Sequence, residues 1–125
     1  MEQTFGSYVR EKRMARGLSL RALAAKLEVS PVYMSNIEND RRPAPTMEKL
    51  NHLIEILGLC QTDAELLLDL AAKSRTQRVS ADLPEYIMER DIVRAALRTA
   101  KEVDATDEEW QEFIDRITQR GKRDE

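Results

Sequence analysis

Only three residues, Glu28-Val29-Ser30, separate two helical patterns, and this short gap constrains the fold more than any other feature of the chain. Before the gap, Leu20, Leu23, Ala24 and Leu27 recur at three- and four-residue spacing and form one apolar face. After it, Ser30 is a favoured N-cap and Pro31 is favoured at the first helical position. Met34 and Ile37 then share an inward side. A gap this short is no free loop, so one helix must turn sharply into the next. Ala24 and Ala25 are small enough to let another helix cross closely.

The remainder reads as further helices, and no segment alternates as a strand would. A first helix is expected from about Thr4 to Arg16, with Phe5, Tyr8 and Val9 on a narrow apolar stripe and Gly17 as its terminator. Asn39 to Pro45 is a loop with two prolines. Thr46 caps a helix with Leu50, Leu53, Ile54 and Leu57 inside, and Gly58 stops it. Thr62 is expected to cap a Leu-rich helix through about Lys73, and Ser74 to Ser80 reads as a connector. Leu83 to Ile87 suggests a short helical turn. Asp91 is expected to cap Ile92 to Val103. Thr106 with Glu109 is a capping box that opens a helix to about Gln119, with Trp110, Phe113, Ile114 and Ile117 inside, and Gly121 to Glu125 is expected to fray. The fold class is therefore all-α.

Charge divides the 125 residues unevenly. Residues 1–58 carry 9 Lys+Arg and 7 Asp+Glu, net +2, whereas residues 59–125 carry 11 and 16, net −5, which together give the overall −3. The acidity thus belongs to the second half, and the total charge does not argue against a nucleic-acid partner for the first. One Cys (Cys60), expected to be a buried or half-buried thiol, excludes a disulfide framework and suits a reducing, cytoplasmic setting. One His (His52) excludes zinc sites that need two imidazoles. No metal, cofactor or catalytic residue is expected: a glycine-rich phosphate loop and a nucleophile motif beside the histidine are both missing. No apolar run approaches the ~18 residues of a membrane span, so no membrane is expected as a partner.

Leu20 to Ile37 has the order of parts of a helix-turn-helix, with Ala24, Leu27, Val29, Met34 and Ile37 inside and Ser30, Pro31, Val32, Tyr33 and Asn36 outside. Around it, the string Arg13-x-x-x-Gly17-Leu18-Ser19 … Leu23-Ala24 … Leu27-x-Val29-Ser30 … Tyr33-Met34-Ser35-x-Ile37-Glu38-Asn39 … Arg42-Pro43, then Leu50 and Leu57-Gly58, resembles the lambdoid-repressor-like (Cro/Xre-type) helix-turn-helix regulators. The resemblance implies a five-helix lambda-repressor-like bundle, completed by the Leu-rich helix after Thr62. It also implies an ion pair between Arg13 and Glu38 that locks the first helix to the recognition unit. On this basis residues 1–73 are expected to form the DNA-binding domain and residues 74–125 a helical dimerisation or regulatory region.

In this motif the second helix enters the major groove with its N-terminal residues on the base edges. Those positions are Ser30, Pro31, Val32 and Tyr33, with Asn36 one turn on. Asn can grip adenine through N6 and N7, and Val or Pro can press on a thymine methyl. The Arg or Gln that many relatives place on this face is missing here, so readout is expected to lean on A·T pairs and DNA shape. Phosphate contacts are expected at the helix starts Ser19 and Ser30 and from Arg21, Ser35, Arg41 and Arg42.

A single recognition helix reads few base pairs, and such domains pair on pseudo-palindromes. Ile87, Ile92, Leu97, Trp110, Phe113, Ile114 and Ile117 are expected to make the homodimer contact. The chain is accordingly expected to be a non-enzymatic transcriptional repressor that binds a double-stranded operator. Two alternatives involve another protein. One is an antitoxin that binds a toxin through the acidic half and represses its own operon. The other follows from Leu83-Pro84-Glu85-Tyr86-Ile87 … Trp110 … Ile114-x-x-Ile117, which is similar to the tail of Xre-type repressors inactivated by a partner zinc metallopeptidase.

Overall fold

A computed structural model describes residues 3–75 and 79–123, with backbone alone at Arg123. The described residues form eight helices and no strand. In chain order these are α1 (Phe5–Ala15), α2 (Leu20–Leu27), α3 (Pro31–Glu38), α4 (Met47–Leu57), α5 (Gln61–Lys73), α6 (Pro84–Glu89), α7 (Asp91–Val103) and α8 (Asp107–Arg123). The chain separates into two compact units, residues 1–84 and 85–125.

The first unit holds α1 to α5 around one core. Val9, Leu23, Leu27, Met34, Ile37, Leu50, Leu53 and Leu67 are its fully buried large side chains, one or more from each of the five helices. Local chemistry sets the helix ends. Thr4 and Ser7 form a reciprocal capping box at the start of α1. Gly17, at φ +68°, ends α1 in the left-handed conformation, and the Leu18 N–H returns to the Arg13 carbonyl at 3.1 Å. Ser19, Ser30 and Thr46 each accept a hydrogen bond from the backbone N–H three residues on. Gly58, at φ +60°, ends α4 in the same way.

Gly6 shows how tightly α1 meets α3. A Cβ there would lie 2.5 Å from the carbonyl oxygens of both Ile37 and Glu38. Any side chain would push the two helices apart, and such overpacking costs about 1–3 kcal/mol. α5 closes the other side of α1: the Tyr8 hydroxyl donates to the Asp63 carbonyl at 2.9 Å and Lys12 pairs with the Asp63 carboxylate at 3.2 Å. Burial pushes the Tyr8 phenol above its ordinary pKa, with Asp63 adding to the shift. The hydrogen bond to Asp63 likewise raises Lys12 above its ordinary 10.5. The Lys12 contribution is therefore complete below pH 10.5 and is lost only as pH rises through the raised value. A buried neutral Tyr8 loses stability in the same alkaline direction, so this contact is intact at neutral pH.

Several expectations need correction. The N-cap of α5 is Cys60, with an extended backbone and no side-chain hydrogen bond; Thr62 lies inside the first turn and does not cap. Cys60 is exposed, not buried or half-buried as expected: as the N-cap it lies outside the helical turns that pack on the core. The N-cap of α7 is Arg90, and Asp91 is the first helical residue. α8 continues through Gly121 to Arg123 instead of fraying at Gly121.

The second unit has no buried residue among those described. The capping box at the start of α8 is present, with the Glu109 N–H on Thr106 Oγ1 and the Thr106 N–H on Glu109 Oε1, both at 3.1 Å. Trp110 and Phe113 meet edge to face, with ring centroids 6.1 Å apart. Yet Trp110, Phe113, Ile114 and Ile117 all remain exposed, Phe113 by 54%, which corrects their placement inside. Two or three amphipathic helices offer too little apolar surface to enclose such rings.

Candidate nucleic-acid interface

The interface is built by α2, the turn and α3. The Glu28 backbone adopts the left-handed conformation at φ +62°, and the Val29 N–H bonds back to the Ala24 carbonyl at 3.0 Å. This ends α2 and turns the chain into α3 within three residues. Lys49 of α4 donates to the Leu27 carbonyl at 2.9 Å and so holds the end of α2. Leu27, Met34 and Ile37 are buried between the helices, which leaves the opposite face of α3 outward.

α3 is fixed from behind by the Arg13–Glu38 pair. Arg13 Nε donates to Glu38 Oε2 at 2.7 Å, a second guanidinium nitrogen to Oε1 at 3.0 Å, and the third to the Leu18 carbonyl at 2.9 Å. The Glu38 side chain is only 4% exposed and that of Arg13 12%. Such a fork-to-fork geometry in low dielectric is directional as well as strong. It ties α1, the α1–α2 connection and the C-terminal end of α3 into one body.

The start of α3 has an unusual donor set. Pro31 has no N–H, and the Tyr33 N–H is taken by the Ser30 hydroxyl at 3.0 Å. The first turn thus keeps few free donors, and its exposed surface is apolar: Pro31 is exposed and Val32 is 71% exposed. α2 differs. Ser19 takes the Ala22 N–H at 3.0 Å, which leaves the first-turn N–H groups of Leu20 and Arg21 free to meet a phosphate. Arg21 itself is exposed. One turn along α3, Asn36 is half-buried and its amide makes no hydrogen bond among the described residues. Ser35 Oγ receives a bond from Asn39 Nδ2 at 3.3 Å.

Tyr33, expected on the outer face of α3, also packs inward. It is half-buried, its ring touches the core, and the Arg42 guanidinium lies 5.2 Å from its centroid. The ring is a platform that holds Arg42, an attraction of roughly 0.5–1 kcal/mol at an exposed site. Arg41 and Arg42 are both exposed. Sequence reasoning missed what holds their loop. Asp40, at φ +59°, accepts from the Gly6 N–H at 3.0 Å and the Thr4 hydroxyl at 2.7 Å. At the other end the Ser74 hydroxyl accepts from the Ala44 N–H at 3.0 Å, and Arg75 donates to the Ala44 carbonyl at 2.7 Å and also to that of Pro45. Among the described residues no cluster could hold a metal ion, and no helix is long and apolar enough to cross a membrane.

A five-helix body that turns the outer face of its third helix outward, flanked by free helix-start donors and arginines, defines a DNA-binding helix-turn-helix unit. A family model described as a helix-turn-helix domain matches residues 4–67, and the chain belongs to this helix-turn-helix family. The chain is 38% identical over 93 residues to the HTH-type transcriptional regulator RamB of Mycobacterium tuberculosis, in strain CDC 1551 / Oshkosh and equally in strain ATCC 25618 / H37Rv. That match covers 74% of this chain and 18% of the relative, so the chain spans under one fifth of the relative's length. A solved SinR protein–SinI protein complex has a TM-score of 0.48 and 21% identity, covering 95% of this chain and 99% of that one.

Proposed function

We propose that the chain is a cytoplasmic, sequence-specific repressor that binds a pseudo-palindromic operator as a homodimer. Residues 1–73 bind DNA and residues 74–125 join two copies. The observation that carries the DNA-binding reading is the outer face of α3. There Val32 is 71% exposed on a helix that the Arg13–Glu38 pair holds rigidly, and the uncommitted Asn36 amide lies one turn away. An exposed Val fits a thymine methyl, and the Asn amide fits the N6/N7 edge of adenine. Ser30, Pro31 and Tyr33 border the same surface. Ser19, Arg21, Ser35, Arg41 and Arg42 supply the phosphate contacts. Asn36→Ala is expected to lose about 1–3 kcal/mol of discrimination at one base position while binding to non-specific DNA stays unchanged. Competition binding against single-base operator variants checks this; uniform weakening on every sequence would remove Asn36 from base readout.

The homodimer reading is supported by apolar side chains that the second unit leaves in water. Ile92, Leu97, Trp110, Phe113, Ile114 and Ile117 are exposed and Ile87 is half-buried. Trp110, Phe113, Ile114 and Ile117 follow the three- and four-residue spacing of one helix face. A second copy would cover these faces symmetrically. Deleting residues 85–125 removes them and leaves the first unit with its own core, so the truncated protein is expected to sediment as a monomer. A truncated dimer would place the contact elsewhere, and co-purification of a different chain with the full-length protein would favour a toxin or peptidase partner.

A further inference from the structure

A cleft of about 980 Å³ lies between the start of α1, the α3–α4 loop and the end of α5. The residues that line it include four cationic ones, Arg41, Arg42, Lys73 and Arg75, and one acidic one, Asp40. Asp40 is already occupied by the Thr4 hydroxyl and the Gly6 N–H, and its single charge leaves the cleft strongly positive. Lys73 is exposed and makes no ion pair among the described residues.

Arg42 belongs to two places at once. Its guanidinium lies over the Tyr33 ring in the first turn of α3, and the same residue lines the cleft with Lys73. Cationic residues therefore extend from the loop after the recognition helix to the last turn of α5. The two segments are tied together: Arg75 grips the carbonyls of Ala44 and Pro45, and the Ser74 hydroxyl takes the Ala44 N–H, so the backbone that carries Lys73 is anchored to the loop that carries Arg41 and Arg42. Anchoring of the backbone reduces the entropy lost on binding a polyanion.

We infer that Lys73 is an additional DNA-binding residue, and that with Arg41 and Arg42 it holds the phosphodiester backbone beside the bases that α3 reads. This inference rests on the DNA-binding reading and extends its contact surface to α5, outside the helix-turn-helix. A lysine in the last turn of a helix also complements the helix dipole, which is a purely structural role. The two roles separate in salt dependence, because a phosphate contact releases a counterion and a dipole contact does not.

The test measures operator affinity of the full-length chain from 0.05 to 0.5 M salt for wild type, Lys73→Gln, Lys73→Arg and Lys101→Gln, the last removing a charge from the second unit. Lys73→Gln is expected to flatten the plot of log K against log salt by about 0.9 and to weaken binding about fivefold at 0.15 M salt, equally on every sequence. Lys73→Arg is expected to restore both, and Lys101→Gln and all melting temperatures to stay at wild-type values. If wild type binds and Lys73→Gln matches it in affinity and slope, Lys73 is not a DNA contact, although the DNA-binding reading stands. If wild type shows no salt-dependent binding to any duplex, that reading falls, and this inference with it.

Discussion

Arg13→Met is expected to destabilise the first unit by about 3–5 kcal/mol in urea denaturation. The substitution keeps the apolar stem of Arg13 without its guanidinium and strands the Glu38 carboxylate, which is 4% exposed and has both oxygens in bonds to the guanidinium. It also removes the donor to the Leu18 carbonyl, so the α1–α2 connection loosens with α3. Most of the loss is the stranded charge and not the worth of the pair itself. Arg13→Met combined with Glu38→Leu is therefore expected to recover much of it. A single-mutant loss below 1 kcal/mol would mean that water reaches Glu38 and that the pair does not lock α3.

Arg41→Ala with Arg42→Ala is expected to weaken binding to all DNA about thirtyfold at 0.15 M salt. Two phosphate contacts contribute about 0.9 each to the slope of log K against log salt, and this slope converts to that factor at this concentration. Ranking of operator variants should stay as in wild type, because these residues meet the backbone and not the bases. The folded state should change little: both side chains are exposed, and Arg42 loses only its stacking on Tyr33. A double variant that binds as wild type does would place the loop away from the duplex.

Most of the first unit was legible because its signals are local. Ser19, Ser30 and Thr46 each cap the helix that begins just after them, and Gly17 and Gly58 take the left-handed backbone that ends a helix. Cys60 escaped notice because its cap is made by backbone conformation alone, with no side-chain signal to read. Asp40 was also invisible: its partners, Thr4 and Gly6, are 36 and 34 residues away, and only the packed α1–α3 pair brings them together. Helical periodicity assigns Tyr33 to a face but cannot show that Arg42 reaches back across the loop to cover the ring. In the second unit the helices and the Thr106–Glu109 box were legible. Apolar spacing alone could not say whether Trp110 and Phe113 close onto their own chain or stay open, because amphipathic periodicity is the same in both cases.

Selection of bound duplexes from random DNA tests the central claim most directly, because it examines base readout and pairing of half-sites in one measurement. The account predicts enrichment of two inverted half-sites, centred about one helical turn apart and rich in A·T pairs where Val32 and Asn36 meet the major groove. Recovery of sequences with no common motif, or of a single half-site without its inverted partner, would contradict it.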